Sequence, residues 1–311
     1  MTQRHAVVAV VVTWNRRALL AEALTAVRAQ VPAPTAVVVV DNASTDGTAA
    51  SVRTRFPDVD LVAATVNTGG AGGFTTGIAR ALDAHDPDLL WLLDDDTVPR
   101  SGALAELVRA YDSYCGDRHG RRPALVASRV VWVDGRDHPM NTPRERPGVR
   151  RGERRDAAAI GCVAVRSASF VSVLCEAAAV RARGLPLADY FLWNDDFEFT
   201  TRLLRGRVGL ACPSSTAEHR TETFGATDAD PGARFFYEVR NKVWLFTRSR
   251  GLSPLEKVVY GASTVRRWAR TLRASADRRT LWRGLGRGLA AGVRSGPRAN
   301  AEVLSAEVPG D

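Results

Sequence analysis

The stretch Leu89-Leu90-Trp91-Leu92-Leu93-Asp94-Asp95-Asp96 decides the fold. Five apolar residues in succession read as a strand buried on both faces, as in a parallel sheet covered by helices. Three carboxylates then end it abruptly. Upstream, residues 6–13 are a β-branched run of the same kind, 36–40 reads as a second buried strand and 60–65 as a third strand. Between the strands, 17–30 carries apolar residues at helical spacing and stops before Pro32, 48–56 is a short helical stretch, and 74–84 is another. This β-α-β-α-β-α-β order is that of an α/β protein with a doubly wound, mostly parallel sheet flanked by helices. Ligands in such sheets sit beyond the carboxyl ends of the strands. Thr13-Trp14-Asn15, Asp41-Asn42, Asn67 and the aspartate triplet all fall there.

The second half is less regular. Residues 124–133 read as a strand, 134–156 as an Arg-, Pro- and Gly-rich loop, and 159–173 as further strand. A helix is expected from Asp195, behind a capping Asn194 and with an acidic first turn. A strand at 208–211 leads to His219, and the pattern is helical from 233 onward. There is no internal repeat. The division expected is a catalytic α/β domain over 1–250 and a basic helical extension over 251–311.

A 311-residue chain with 45% hydrophobic and 25% charged residues has the composition of an ordinary globular protein with a sizeable core. No uninterrupted apolar run approaches about 18 residues, so no spanning helix is expected. The first strand starts within six residues of the N-terminus, which leaves no room for a signal peptide and predicts a cytoplasmic protein. Cys115, Cys162, Cys175 and Cys212 are scattered without a CxxC pair and read as reduced, buried residues. The net charge of +9 is concentrated: between Arg248 and Arg298 thirteen Arg and Lys face only Glu256 and Asp277, leaving the rest nearly neutral. No recognition module precedes this segment, so nucleic acid is not the expected partner. Leu255, Val258, Val259, Ala262, Val265, Ala269 and Leu272 recur at near-helical spacing among these arginines, with Trp268 and Trp282. Such a helix either covers the body or lies on an anionic membrane surface, and the sequence leaves both open.

Three adjacent carboxylates repel one another, and a strand end alone does not require them; a hard divalent cation does. Asn67-Thr68-Gly69-Gly70-Ala71-Gly72-Gly73-Phe74, between a strand and a helix, lets backbone approach a ligand but matches neither the dinucleotide fingerprint nor a P-loop. Asp195-Asp196-Phe197-Glu198 follows the aromatic lead Tyr190, Phe191 and Trp193, an arrangement suited to a carboxylate base beside aromatic walls for an acceptor. His219 returns the chain to the same sheet edge, where it can serve as a third metal ligand. His5, His85, His119 and His138 have no such context.

These elements, in this order, resemble the glycosyltransferase family 2 enzymes of GT-A fold over roughly residues 6–250. The resemblance rests on Val11-Val12-Thr13-Trp14-Asn15-Arg16, Asp41-Asn42-Ala43-Ser44-Thr45-Asp46-Gly47, the triplet, and Asn194-Asp195-Asp196 with His219. The glycine run, Trp193-Asn194-Asp195-Asp196-Phe197-Glu198-Phe199 and Tyr237-Glu238-Val239-Arg240-Asn241-Lys242 look most like actinobacterial galactofuranosyltransferases that initiate cell-wall galactan. The resemblance implies an inverting, metal-dependent hexosyl transfer from UDP-galactofuranose to a polyprenyl-diphosphate-linked glycan acceptor, at the inner face of the plasma membrane. It implies Thr13, Asn15 and Asp41 around uridine, and Asn67, Gly69 and Gly70 at the donor sugar. Asp94, Asp96 and His219 would hold Mn2+ or Mg2+, and Asp95 would contact ribose or sugar. Asp196 would be the base, with Trp193, Asp195 and Glu198 on the acceptor side. A rhamnosyltransferase using dTDP-rhamnose shares most of these motifs, and a nucleotidyltransferase or nucleotide-sugar-binding protein is the competing class.

Overall fold

The structure is a computed structural model that describes residues 5–114, 116, 120–146, 148–224 and 230–305. The first part of the chain runs β1 (Val7–Thr13), α1 (Arg17–Arg28), β2 (Ala36–Asp41), α2 (Thr48–Arg55), β3 (Asp60–Ala63), α3 (Gly69–Ala84) and β4 (Leu89–Asp94). Next come β5 (Thr97–Pro99), α4 (Ala103–Ser113), β6 (Leu125–Val131), β7 (Arg144–Glu145), α5 (Arg151–Ala159), β8 (Val163–Ser167), β9 (Val173–Glu176) and α6 (Ala177–Arg183). The last part is α7 (Asp195–Leu203), β10 (Gly209–His219), α8 (Phe235–Thr247), α9 (Pro254–Ala274), α10 (Arg278–Arg294) and α11 (Asn300–Leu304).

One sheet has the order β3-β2-β1-β4-β9-β6-β10-β8-β7, with β5 also on β10. Strands β3, β2, β1 and β4 are parallel. Strand β9 is antiparallel to both β4 and β6, and β6 and β10 are again parallel. The unbroken apolar runs follow from burial on both faces. Ala9, Val11, Leu89, Trp91 and Leu93 pack with Leu20, Leu24, Val52 and Leu107 on one side. Val8, Val10, Val12, Leu90 and Leu92 pack with Phe74, Ile78, Phe199 and Leu203 on the other. Each fully buried Val or Leu contributes roughly 1.5–3 kcal/mol, so polar residues are confined to where the strand leaves the core. Asp94 stands at that point.

Two local expectations change. Helix α3 starts at Gly69 rather than at 74, so the glycine run forms its first turns. A Cβ on Gly73 would lie 2.4 Å from Val12 Cγ1, and one on Gly77 2.5 Å from Val10 Cγ1. The glycines bring the helix against β1. Residues 134–161, expected as loop and then strand, contain β7 and the arginine-rich α5, which buries only Ala157. Gly161, at φ 72°, turns the chain into β8.

The C-terminal helices form a small core of their own from Phe235, Val239, Leu272 and Leu281. Helix α10 lies against α8 through Gly284, Gly288 and Gly292; a Cβ on Gly288 would meet Val239 Cβ at 2.7 Å. Ser253 and Glu256 close a capping box at the start of α9, with Pro254 in its first turn. The apolar stripe of α9 points outward: Leu255, Val258, Val259 and Val265 are 74%, 68%, 59% and 62% exposed. Among the described residues, no helix is long and apolar enough to cross a membrane. Cys162, Cys175 and Cys212 are buried free thiols; Cys115 and His119 lie outside the described residues.

Candidate active site

Strand β4 delivers the triplet to the sheet edge, and its three carboxylates have different surroundings. Asp95 is latched to the end of β1: Thr13 Oγ1 and the Trp14 N–H donate to its Oδ2 at 2.8 and 3.3 Å. Arg16 donates to Asp95 Oδ1 at 3.3 Å and also to Asp96 Oδ2. Burial, and then the neighbouring Asp96 charge, push the Asp95 carboxyl up to about 6. Burial also works against ionisation of Asp96, but His219 and Arg16 outweigh it and hold that carboxyl below its ordinary value. Asp94 is pushed well up by burial, and after that by Asp96, Asp95 and Asp195.

His219, at the end of β10, completes the group: Asp94, Asp96 and His219 offer ligand atoms that lie within 4.8 Å of one another. Asn141 Nδ2 donates to Ser169 Oγ at 3.0 Å, which turns Asn141 Oδ1 toward His219 Nδ1 at 2.7 Å. That network assigns the ring proton to Nδ1 and leaves a lone pair on Nε2. Nε2 lies 3.0 Å from Asp96 Oδ1, yet this buried oxygen has no hydrogen bond of good geometry. A proton on Nε2, as the pairing that lowers Asp96 requires, or a cation in that proton's place, serves both atoms. Two carboxylates and an imidazole fit Mn2+ or Mg2+.

The rim beside this group is built by short polar links. Asn15, at φ 54°, donates its N–H to Ser44 Oγ at 2.8 Å and accepts the Thr45 N–H at 2.7 Å. Asp41 is buried and accepts the Ser44 N–H at 3.0 Å. Asn42 spans the next turn, donating to Gly69 O at 2.8 Å and accepting the Thr68 N–H at 3.0 Å. Asn67 Oδ1 accepts the Gly69 N–H at 2.7 Å. Gly69 itself lies under Phe191, whose carbonyl oxygen a Cβ would meet at 2.0 Å, whereas Gly70 faces open space. Close packing accounts for Gly69; exposure to a ligand is left to Gly70.

Asp195 and Asp196 stand at the start of α7, after Phe191, Trp193 and Asn194, all of which have positive φ (61°, 65° and 66°). Asp196 Oδ1 accepts the Phe197 N–H at 2.6 Å. Burial raises the Asp196 carboxyl, opposed by that N–H and by the charges of Lys242 and Arg144. Asp195 is pushed up to about 8 by burial and then by the Asp196 charge. Lys242 is 6% exposed, sits 4.8 Å from the Phe197 ring centroid, and is pushed down to about 8 by burial. The Arg144 guanidinium lies over Phe197 and Tyr260, at 5.4 and 5.7 Å. Trp193 carries Arg234 over its ring at 5.3 Å.

Glu198, expected on the acceptor side, has partners within the protein. It is buried, takes Arg202 Nε at 3.0 Å and Ser249 Oγ at 2.8 Å, and anchors α7 to the segment after α8. Sequence reasoning also passed over Arg16, Asn141, Lys242 and Arg144. His138, assigned no role, packs its ring 4.9 Å from that of His219. Arg16 and Lys242 lie inside motifs quoted for the resemblance, without a role of their own there; His138, Asn141 and Arg144 come from the irregular 134–150 stretch, which carries no periodic signal.

An acidic group that fits a metal stands at the end of a parallel strand, with the charge of Asp195 near enough to bear on Asp94. The chain belongs to glycosyl transferase family 2, whose family model matches residues 8–165, and it is a glycosyltransferase of GT-A fold. It is 30% identical over 280 residues to galactofuranosyltransferase GlfT1 of Mycolicibacterium smegmatis, covering 84% of this chain and 90% of that protein. It is 29% identical over 264 residues to GlfT1 of Mycobacterium tuberculosis, covering 78% and 83%. Among solved structures, Staphylococcus aureus TarS 1–349 in complex with UDP superposes with a TM-score of 0.61 at 16% identity, over 92% of this chain and 80% of that one. The mannosyltransferase PcManGT of Pyrobaculum calidifontis, in complex with GDP-Man and Mn2+, gives 0.53 at 20% identity, over 98% and 80%.

Proposed function

We propose that this glycosyltransferase moves galactofuranose from UDP-galactofuranose, with inversion, onto a polyprenyl-diphosphate-linked glycan at an anionic membrane surface. The observation that carries the reading is the meeting of the two acidic groups: the field of Asp195 reaches Asp94, the residue at the tip of β4. The likeness to two mycobacterial galactofuranosyltransferases supports the sugar.

Thr13, Asn15 and Asp41 line the rim that takes uridine. Asp95 keeps Thr13 and Trp14 in register with the triplet. Asn67 and Gly70 border the donor sugar, and Gly69 seats the acceptor loop over it. Asp94, Asp96 and His219 would hold a divalent cation, which when bound offsets the charge that builds on the departing diphosphate. Asp196 takes the proton of the acceptor hydroxyl as that oxygen bonds to the anomeric carbon and the bond to the diphosphate oxygen breaks. Asp195, holding a proton, can donate to the acceptor sugar, and Trp193 offers it an aromatic wall. Outside the cleft, the exposed apolar stripe of α9 and its arginines supply burial and charge attraction to an anionic lipid surface.

The experiment is a transfer assay with UDP-galactofuranose, UDP-galactopyranose and dTDP-rhamnose as donors and a lipid-diphosphate-linked disaccharide as acceptor, with the product anomer read by NMR. Turnover from UDP-galactofuranose alone, giving the inverted anomer, is expected. Turnover from dTDP-rhamnose alone, or retention, overturns the assignment.

A further inference from the structure

The segment that aims the acceptor-side carboxylates is strained, and the strain is held from outside it. Phe191, Trp193 and Asn194 all adopt positive φ, a conformation costing roughly 1–3 kcal/mol per residue that persists only where neighbours enforce it. One side chain spans most of the segment. Asn241 on α8 is fully buried, and its Nδ2 donates to the carbonyls of Tyr190, Leu192 and Trp193, each at 2.9 Å. Two N–H groups serve three carbonyls, so one proton is shared. The amide is itself oriented, because Oδ1 accepts Arg240 Nε at 3.1 Å and Nη2 at 3.0 Å.

The surrounding contacts tie the same segment to the C-terminal helices. Asn194 Nδ2 donates to Glu238 Oε2 at 2.7 Å, while Glu238 Oε1 accepts Trp268 Nε1 of α9 at 3.2 Å and is paired with Arg267. Arg298 pairs with Asp189 at 2.7 Å, and Asn300 Oδ1 accepts the Ala188 N–H at 2.9 Å. Residues 251–305 are therefore wired to the loop that precedes Asp196.

Taking Asp196 as the base, as above, we propose that Asn241 is a positioning residue: its amide, spread over three carbonyls of the Tyr190–Trp193 segment, fixes the direction in which Asp195 and Asp196 enter the cleft. It touches no substrate. A carboxylate at this position accepts hydrogen bonds but donates none, so Asn241→Asp should be at least as damaging as Asn241→Ala despite its matching shape.

The test compares the full-length wild-type protein with Asn241→Ala, Asn241→Asp and Arg298→Ala, the last being a half-exposed side chain whose loss leaves the core intact. In both Asn241 variants, amide hydrogen exchange over residues 190–197 should accelerate about tenfold or more, while exchange in β1 and β4 stays unchanged. Transfer kcat should fall about 100-fold with UDP affinity preserved, since a misplacement of about 1 Å costs that much; Arg298→Ala should show the same pattern weakened to several-fold. Wild-type exchange at 190–197 with wild-type kcat in the Asn241 variants overturns the positioning role. If those variants fail to fold, Arg298→Ala with unchanged exchange and unchanged kcat overturns it equally. Accelerated exchange in a protein whose wild type transfers no galactofuranose would instead refute the donor assignment and leave the positioning role standing.

Discussion

The two acidic groups of the cleft are built in opposite ways. Asp94, Asp95 and Asp96 end a strand that cannot be elsewhere, because its apolar residues fill both layers of the core. Their position is a local consequence of where burial stops. Asp195 and Asp196 begin a helix whose entry needs three positive-φ residues and side chains from up to about a hundred residues further along. The first group is encoded by its own neighbours in sequence, the second by residues distant from it. Donor chemistry should consequently tolerate changes in the C-terminal helices, and acceptor chemistry should not.

The strongest way to break that division is to remove the base. Asp196→Asn should lower transfer by about 100- to 10,000-fold, the span of general-base catalysis, while UDP affinity by calorimetry stays at the wild-type value. Equal loss of both would merge the two halves. Asp96→Ala should do the converse, abolishing the dependence of UDP affinity on Mn2+; a titration indistinguishable from wild type would remove the triplet from the cation site. Asn141→Ala tests one layer further out. The loss of the hydrogen bond that orients His219 should weaken Mn2+ affinity by roughly 10–100-fold, and Asn141→Asp should restore most of it by accepting the same proton.

The pH dependence separates the groups by sign. Burial raises Asp196, so its carboxylate, the form that accepts a proton, is lost on acidification at a higher pH than for a free aspartate near 3.9. The acid limb of kcat should therefore lie above that of a free aspartate, and a limb at or below about pH 4 would contradict the raised base. The smallest effect is expected at the surface. Arg270→Ala on α9 should weaken binding to anionic lipid vesicles by about fivefold, corresponding to roughly 1 kcal/mol per basic group, with no change in transfer to a soluble acceptor analogue. Equal binding to zwitterionic vesicles would remove charge from that attachment.

The same asymmetry governed what could be read from the chain. Strands β1, β2 and β4, the triplet, His219 and the start of α7 at Asp195 were legible because continuous burial, a break in polarity and a capping pattern are local signals. The start of α3 was misplaced because glycine at 69–73 reads as loop by propensity, whereas here Gly69 is required by close approach to the Phe191 carbonyl and Gly73 by close approach to Val12. The partners of Glu198 were not legible because an acidic first turn looks alike whether it faces a ligand or Arg202; only the tertiary contacts show the pairing. Asn141 and Asn241 were invisible as orienting groups, since a single asparagine carries no pattern until the chain folds around it.

Convergence of the two groups is open to one direct measurement. Mn2+ bound at Asp94, Asp96 and His219 is paramagnetic and broadens the NMR signals of nearby nuclei, so titrating it into labelled protein should erase the amide resonances of 194–197 along with those of 94–96, and leave those of α5 sharp. If the 194–197 resonances stay sharp while the triplet's vanish, cation and base belong to separate places and the cleft described here does not exist.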